Sequence, residues 1–414
     1  MLDALRDWVP VLALLTLLAT AYLHPPEWLE AVLATVCAAA VLATGRLDRT
    51  RVRTEIDHLL PVVLFLMAIL VVAECCRAAG LFGAVGTRLA RAGSHQQIFT
   101  LAFVAAAATT VVLSLDATVV LLTPVVLAAA AATHVGARPM QLVCVRLANS
   151  ASLLLPVSNL TNLLALPRLD LGFGRFALLM APVWVLTLLV EYAVHRIWFR
   201  TDLRAPSPEH DVPVALPLPA VPLLTVAVML AGFGVGSVIG LDPAWIAGGA
   251  AVVLATRARR RGEASFGRLA HSTHASFAVF VLALGLVVAT LGRGPLGDLL
   301  AAVVPDGSGL VALLTTALVG AVLANLVNNL PATLLLVPLV APLGPVPALA
   351  ALIGINLGSS MTWSGSLANL LWRRSVLHHG GRVHSRDFHG VALLATPVAL
   401  VAGVAVLDLW AQLV

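Results

Sequence analysis

Long apolar blocks alternate with short polar ones along nearly the whole chain. About 20 consecutive apolar residues suffice for a helix to cross a bilayer. The blocks predict spans at 8–23, 27–44, 59–76, 97–113, 117–133, 140–166, 174–198, 217–239, 243–256, 274–292, 308–327, 331–343, 347–371 and 389–411. None shows the two-residue alternation of a lipid-facing barrel strand, so the pattern predicts an all-α polytopic protein of the cell membrane. The run 8–23 is read as a span and not as a signal peptide, because no basic cluster precedes it and no A-x-A site follows. Segments 78–92 and 294–304, with Arg88, Arg91 and Asp298 on their polar sides, read as interfacial helices.

One block is interrupted. The apolar run from Gly309 to Pro342 holds Asn325, Asn328, Asn329 and Pro331 in its middle. Pro331 donates no N–H and biases Leu330 away from helical angles, which predicts a helix break there. Backbone groups freed inside a membrane are tolerated only under a cover of protein or along a water-filled cavity. Two half-helices meeting at such a break read as a transporter substrate site. The other reading is a kinked helix whose asparagines bond to neighbouring helices.

The two halves of the chain resemble one another. Pro26-Glu27-Trp28 recurs as Pro243-Ala244-Trp245, and Gly80-Leu81-Phe82-Gly83 as Gly294-Pro295-Leu296-Gly297. Asn149, Ser152, Leu160 and Asn162 recur 207 positions on as Asn356, Ser359, Leu367 and Asn369. Polar residues recurring in register inside spans are hard to obtain by chance. Each half then has a hairpin tip, at 114–118 and at 328–332, and a break inside a later span, at 156–162 and at 362–369. The expected architecture is two inverted-topology repeats, 1–199 and 217–414, joined by a proline- and charge-rich linker at 200–216. Each repeat holds about five crossings plus a re-entrant hairpin and a broken helix, and the odd number of crossings inverts the second.

Composition agrees. The chain is 60% hydrophobic and 11% charged, and all 25 of its basic residues are arginine. The basic excess reports topology and gives no reason to expect nucleic acid. With the N-terminus outside, Arg6, Arg46, Arg49, Arg51, Arg53, Arg168, Arg175 and Arg293 fall outside, against sixteen arginines inside. Cys37, Cys75, Cys76 and Cys144 have no metal-ligand spacing and read as small buried hydrophobes. No cofactor and no metal are expected. Without a lysine the chain cannot complete a nucleotide-binding P-loop. His271 and His274 lack an accompanying acid or nucleophile, so the chain is not read as an enzyme.

The candidate substrate residues are those offering donors and acceptors at the breaks: Ser158, Asn159, Asn162, Asn328, Asn329, Ser364, Ser366 and Asn369. Such a set suits a small polyhydroxylated solute, an oxyanion or a hydrated ion. Asp116 is the only carboxylate at either tip and is the expected proton carrier, a role compatible with capping the half-helix after it. Arg146 is expected to snorkel toward the cytoplasmic face. Glu74 with Arg77, and Glu191 with His195, are expected to pair along their helices.

At the breaks the sequence resembles arsenite efflux permeases and, more broadly, the ion transporter superfamily. The resemblance rests on Asp116-Ala117-Thr118 through Pro124, Ala151-Ser152-Leu153 with Val157 through Asn162, Asn328-Asn329-Leu330-Pro331, and Gly365 through Trp372. It implies export of arsenite or antimonite in exchange for protons, from a two-fold pseudosymmetric fold. In some members it also implies a separate ATPase subunit, and it leaves a homodimer open. Arsenite permeases usually carry acidic residues where this chain has Asn149 and Asn356, and a lysine where it has Ser360. A sodium/proton antiporter, a dicarboxylate carrier or a channel-like facilitator therefore stays open beside the arsenite reading.

Overall fold

Among the described residues every regular element is a helix, as hydrocarbon requires of a chain that must satisfy its own backbone hydrogen bonds. The computed structural model describes residues 2–23, 25–205, 212–292 and 294–414, with side chains in the first of these from Trp8 onward. Arg293 and residues 206–211 of the expected linker lie outside the described residues. Among the described residues eight helices are long and apolar enough to cross a bilayer: Arg49–Ala78, His95–Val112, Leu115–Ala132, Phe173–Trp198, Ala220–Ile239, Phe266–Leu291, Leu310–Val327 and Ser385–Ala411. The other expected spans are short apolar helices, interrupted ones or, for 243–256, the helix Pro243–Arg260 with three arginines in its last turn. Leu81–Ala90 and Pro295–Val303 are the short helices expected at the interface, and Arg200–Arg204 is a helical turn at the start of the linker.

The helices pair across the two halves of the chain. Arg49–Ala78 packs on Pro243–Arg260, Glu27–Ala43 packs on Ala275–Leu291, and Phe173–Trp198 packs on Ser385–Ala411. Polar side chains start several of these helices. Asp48 accepts from the Arg51 amide at 2.8 Å, and Asp242 from the Ala244 amide at 2.7 Å, each satisfying a first-turn donor.

The tightest packing lies beside the breaks, where Leu310–Val327 crosses Pro345–Gly358. A Cβ on Gly354 would overlap the Ala317 carbonyl, and one on Gly358 would overlap Ala321. Glycines four apart facing alanines four apart let two backbones touch, which is how helices associate where lipid removes the hydrophobic drive.

Both hairpins turn sharply. In the first, Ser114 Oγ accepts from the Ala117 amide at 3.3 Å, and a short helix Leu115–Ala117 opens into a π-helical turn at Thr118–Leu122. Thr110 and Thr118 share a 2.7 Å hydroxyl bond across this hairpin. In the second, the break falls at Asn328 and not at Leu330. Asn328 takes φ +77°, its Oδ1 accepts from the Leu330 amide at 3.4 Å, and the helix Asn329–Val340 carries Pro331 in its first turn. A first-turn proline loses no hydrogen bond, because that N–H has no helical partner.

Candidate functional site

The first broken span begins as Arg138–Ser150 and ends as Leu160–Ala165, with two 3₁₀ turns between them. Pro156 holds Leu155 in an extended conformation and so stops the helix. Asn159 starts the second piece by accepting from the Thr161 amide at 3.1 Å. The other broken span runs from Pro345–Gly358 to Leu367–His378, and Ser366 starts its second piece by accepting from the Ala368 amide at 3.2 Å. Gly365 allows the turn to fold back on itself, since a Cβ there would overlap the Ser359 backbone.

A helix broken in this way leaves carbonyls without partners at the end of its first piece. One asparagine per span supplies them. Asn162 Nδ2 donates to Ser152 O at 2.8 Å and Leu155 O at 3.2 Å. Asn369 Nδ2 donates to Ser359 O and Thr362 O, both at 2.8 Å. The carbonyls are related by the same 207-residue offset as the asparagines.

Each of these asparagines also accepts from the opposite span. Asn149 Nδ2 donates to Asn369 Oδ1 at 2.9 Å, and Asn356 Nδ2 donates to Asn162 Oδ1 at 2.9 Å. Asn356 Oδ1 in turn accepts from Thr161 Oγ1 at 2.7 Å and Asn159 Nδ2 at 3.2 Å. All four central asparagines are fully buried. They form a neutral centre of amides and hydroxyls in which nothing titrates.

Of the residues expected at a site, Asn159, Asn162 and Asn369 meet in this centre. Asn328, Asn329 and Ser364 gather instead at the second tip. Asn328 Nδ2 donates to Ser364 O at 2.9 Å, the Asn329 amide donates to Gly365 O at 2.9 Å, and the Ser364 side chain is exposed. Ser158 is tied to the first hairpin, its Oγ donating to Val111 O at 2.9 Å, and Ser366 acts as a helix cap. Asp116 is half-buried at the first tip, and no hydrogen bond or ion pair of its carboxylate occurs among the described residues. Asn149, Asn356, Ser152 and Ser359 were not among the expected site residues, although their shared offset is the signal that marks them.

Arg146 does not snorkel. Its guanidinium is 1% exposed and pairs with Glu191 at 2.6 Å, with further bonds to Thr396 Oγ1 at 3.1 Å and Ser360 O at 3.3 Å. Three polar partners inside the fold outweigh the route to water, because helices from both halves close over it. Glu191 therefore pairs first with Arg146, and His195 Nδ1 lies 3.6 Å from the other carboxylate oxygen. Glu74 and Arg77 pair as expected.

Helices crossing a bilayer in number, two of them broken at a buried polar centre, define a multi-pass membrane transporter of the cell membrane. A family model described as citrate transporter matches residues 3–353, and the chain belongs to that family. It is 30% identical over 244 residues to the arsenical pump membrane protein of Escherichia coli strain K12, an alignment covering 55% of this chain and 56% of that protein. The arsenical pump membrane protein of Yersinia enterocolitica is 30% identical over 245 residues, again 55% of this chain and 56% of the relative. The matched part thus spans about half the length of these curated relatives. Among solved structures, the YdaH transporter of Alcanivorax borkumensis, described as having an unusual topology, shares the fold with a TM-score of 0.59 at 19% identity, over 89% of this chain and 90% of that one.

Proposed function

We propose that this chain is a secondary active carrier that exports arsenite or antimonite in exchange for protons. The neutral asparagine centre carries the reading. Trivalent arsenic hydroxide is largely uncharged at neutral pH and offers hydroxyls that amides can both donate to and accept from. A citrate-like anion would need a cation at the centre, and the nearest guanidinium, Arg146, is already neutralised by Glu191. Release of solute requires the cross-span bonds to open, so the centre acts as the closed point between two access routes. Asp116, free of polar partners among the described residues, is the proton carrier of this reading.

The reciprocal bonds of residues 207 apart, and the exchange of helix partners between halves, support two inverted repeats at 1–199 and 217–414 about the 200–216 linker. Inverted repeats meeting at broken helices near the midplane supply alternating access by rocking one part against another.

The test is uptake into inverted, ATP-free vesicles from an arsenite-sensitive host expressing this chain. Arsenite accumulation that an uncoupler abolishes is expected, and occurs without an ATPase subunit. Uptake of citrate but not arsenite would favour an organic-anion carrier, for which the family's description is the argument. Arsenite flux indifferent to the uncoupler would make the chain a facilitator.

A further inference from the structure

Charge inside a membrane is costly unless paired, and a residue bearing it there has a functional reading by default. The Arg146–Glu191 pair is the most deeply buried arginine–carboxylate pair among the described residues, each side chain 1% exposed. It joins four parts of the fold. Arg146 leads into the first break, Glu191 lies on Phe173–Trp198, Thr396 on Ser385–Ala411, and Ser360 in the turn of the second break.

Buried polar atoms without partners cluster around this pair. Thr187 Oγ1 and His195 Nε2, one turn before and after Glu191 on its own helix, have none, and neither does Ser360 Oγ. Buried polar groups are nearly always satisfied, so three orphans about one ion pair mark a place whose partners change. The groups facing Glu191 are few. Arg146 and His195 are the charged or titratable ones, while Phe99 lies against His195 and Thr396 against Arg146. Beside Trp198, at the end of that helix, Arg138 of Arg138–Ser150 and Asp387 of Ser385–Ala411 are spent on each other at 2.8 Å, with Asp202 3.9 Å from Arg138.

We propose that Glu191 is a second proton-binding carboxylate of the carrier, and that Arg146 ties its charge to the position of the second break. The proposal rests on the reading of the chain as a proton-exchanging carrier. Arg146 holds Glu191 on one side and the Ser360 carbonyl on the other. When the second break moves, the guanidinium cannot keep both. If it follows Ser360, Glu191 loses its counter-charge inside the protein, where an unpaired buried ion is strongly disfavoured. Taking one proton from water onto a carboxylate oxygen removes that cost, and Arg146 keeps its own charge throughout. Returning the break restores the pair and releases the proton. Proton occupancy and break position are then linked, so each biases the other.

The experiment uses the full chain in liposomes, with arsenite as probe, an imposed pH difference, and the membrane potential clamped at zero with potassium and valinomycin. Two protons per neutral solute should give a plateau about tenfold steeper per pH unit than one proton gives. Glu191→Gln is therefore expected to lower the plateau by about tenfold per pH unit while initial exchange persists. An unchanged plateau overturns the proposal. Should Glu191→Gln fail to give a monodisperse protein, the charge-neutral double variant Arg146→Met/Glu191→Leu replaces it under the same criterion, since hydrophobic replacement of a whole buried pair is often tolerated. If the wild-type protein moves no arsenite, the carrier reading has failed and infrared titration of the purified protein decides Glu191 alone. A protonated-carboxyl band that is present on acidification and missing in Glu191→Gln supports it, and identical spectra overturn it. In Arg146→Gln that band should stand already at neutral pH, since a buried carboxylate without its counter-charge takes a proton, and its absence there overturns the proposal.

Discussion

Asn149 donates its side-chain amide to Asn369 across 220 residues of chain, at 2.9 Å. The bond from Asn356 to Asn162 repeats it at the same length with the halves exchanged. Each accepting asparagine is also the one that satisfies the open carbonyls of its own broken span, so closing the breaks and joining the halves are done by the same side chains.

Truncating this centre should show coupling. Asn149→Ala removes one donor and is expected to cost about 1–2 kcal/mol, the range for a buried interhelical hydrogen bond. Asn369→Ala should cost more, because it also releases the Ser359 and Thr362 carbonyls. The double variant should lose less than the sum of the two. Thermal unfolding of the purified proteins in detergent measures all three, and strictly additive losses would deny the bond a role.

Glycines along the fold should differ sharply in their tolerance of a methyl group. Gly354→Ala forces a Cβ into the Ala317 carbonyl and is expected to destabilise by about 2 kcal/mol or more, as overpacking does. Gly249→Ala, in a helix with open space around the new methyl, should be neutral or stabilise by up to about 1 kcal/mol. Melting temperatures of the two variants in the same detergent decide whether the close crossing matters.

Accessibility separates inverted from parallel repeats. In a background lacking Cys37, Cys75, Cys76 and Cys144, single cysteines at Asp116 and Ser364 should react with impermeant maleimide from opposite faces of the membrane. The positions suit the reagent, since one is half-buried and the other exposed. Labelling of both from one face would remove the inverted topology.

Asp116→Asn tests the first proton site. The variant should fold, bind and exchange arsenite down its gradient, yet accumulate it against one to a plateau about tenfold lower per pH unit, because only the Glu191 proton then drives uptake. Its exchange should vary with pH less steeply than that of the wild-type protein. Uphill transport at the wild-type rate, with the same pH dependence, would take Asp116 out of the mechanism and leave Glu191 as the carboxylate to examine.

Much of the architecture was legible in the chain. An apolar block long enough to cross a bilayer has one solution in hydrocarbon, so spans could be read from letters alone, from 59–76 inside Arg49–Ala78 to 389–411 inside Ser385–Ala411. Pro156 and the Ser364-Gly365-Ser366 turn announced the breaks, because a missing N–H and a missing Cβ act locally. The 207-residue offset even marked Asn149 and Asn356, whose role lay in a relation between distant positions. Pro331 misled by two residues, since proline is harmless in a first turn and only the φ +77° at Asn328 shows where the chain bends.

Tertiary structure alone decided which polar groups spend themselves on one another. Arg146 and Glu191 stand 45 residues apart on different helices, and a snorkelling arginine and a helix-surface glutamate have the same letters as a buried pair. Likewise, the sequence presents Ser158, Asn328 and Ser364 as equals of Asn162 and Asn369. Packing sends the first three to the hairpins and the last two to the centre. Hydrophobic length is a property of one segment, whereas a hydrogen bond between segments depends on how both are placed, and that placement is set by the contacts of the whole fold.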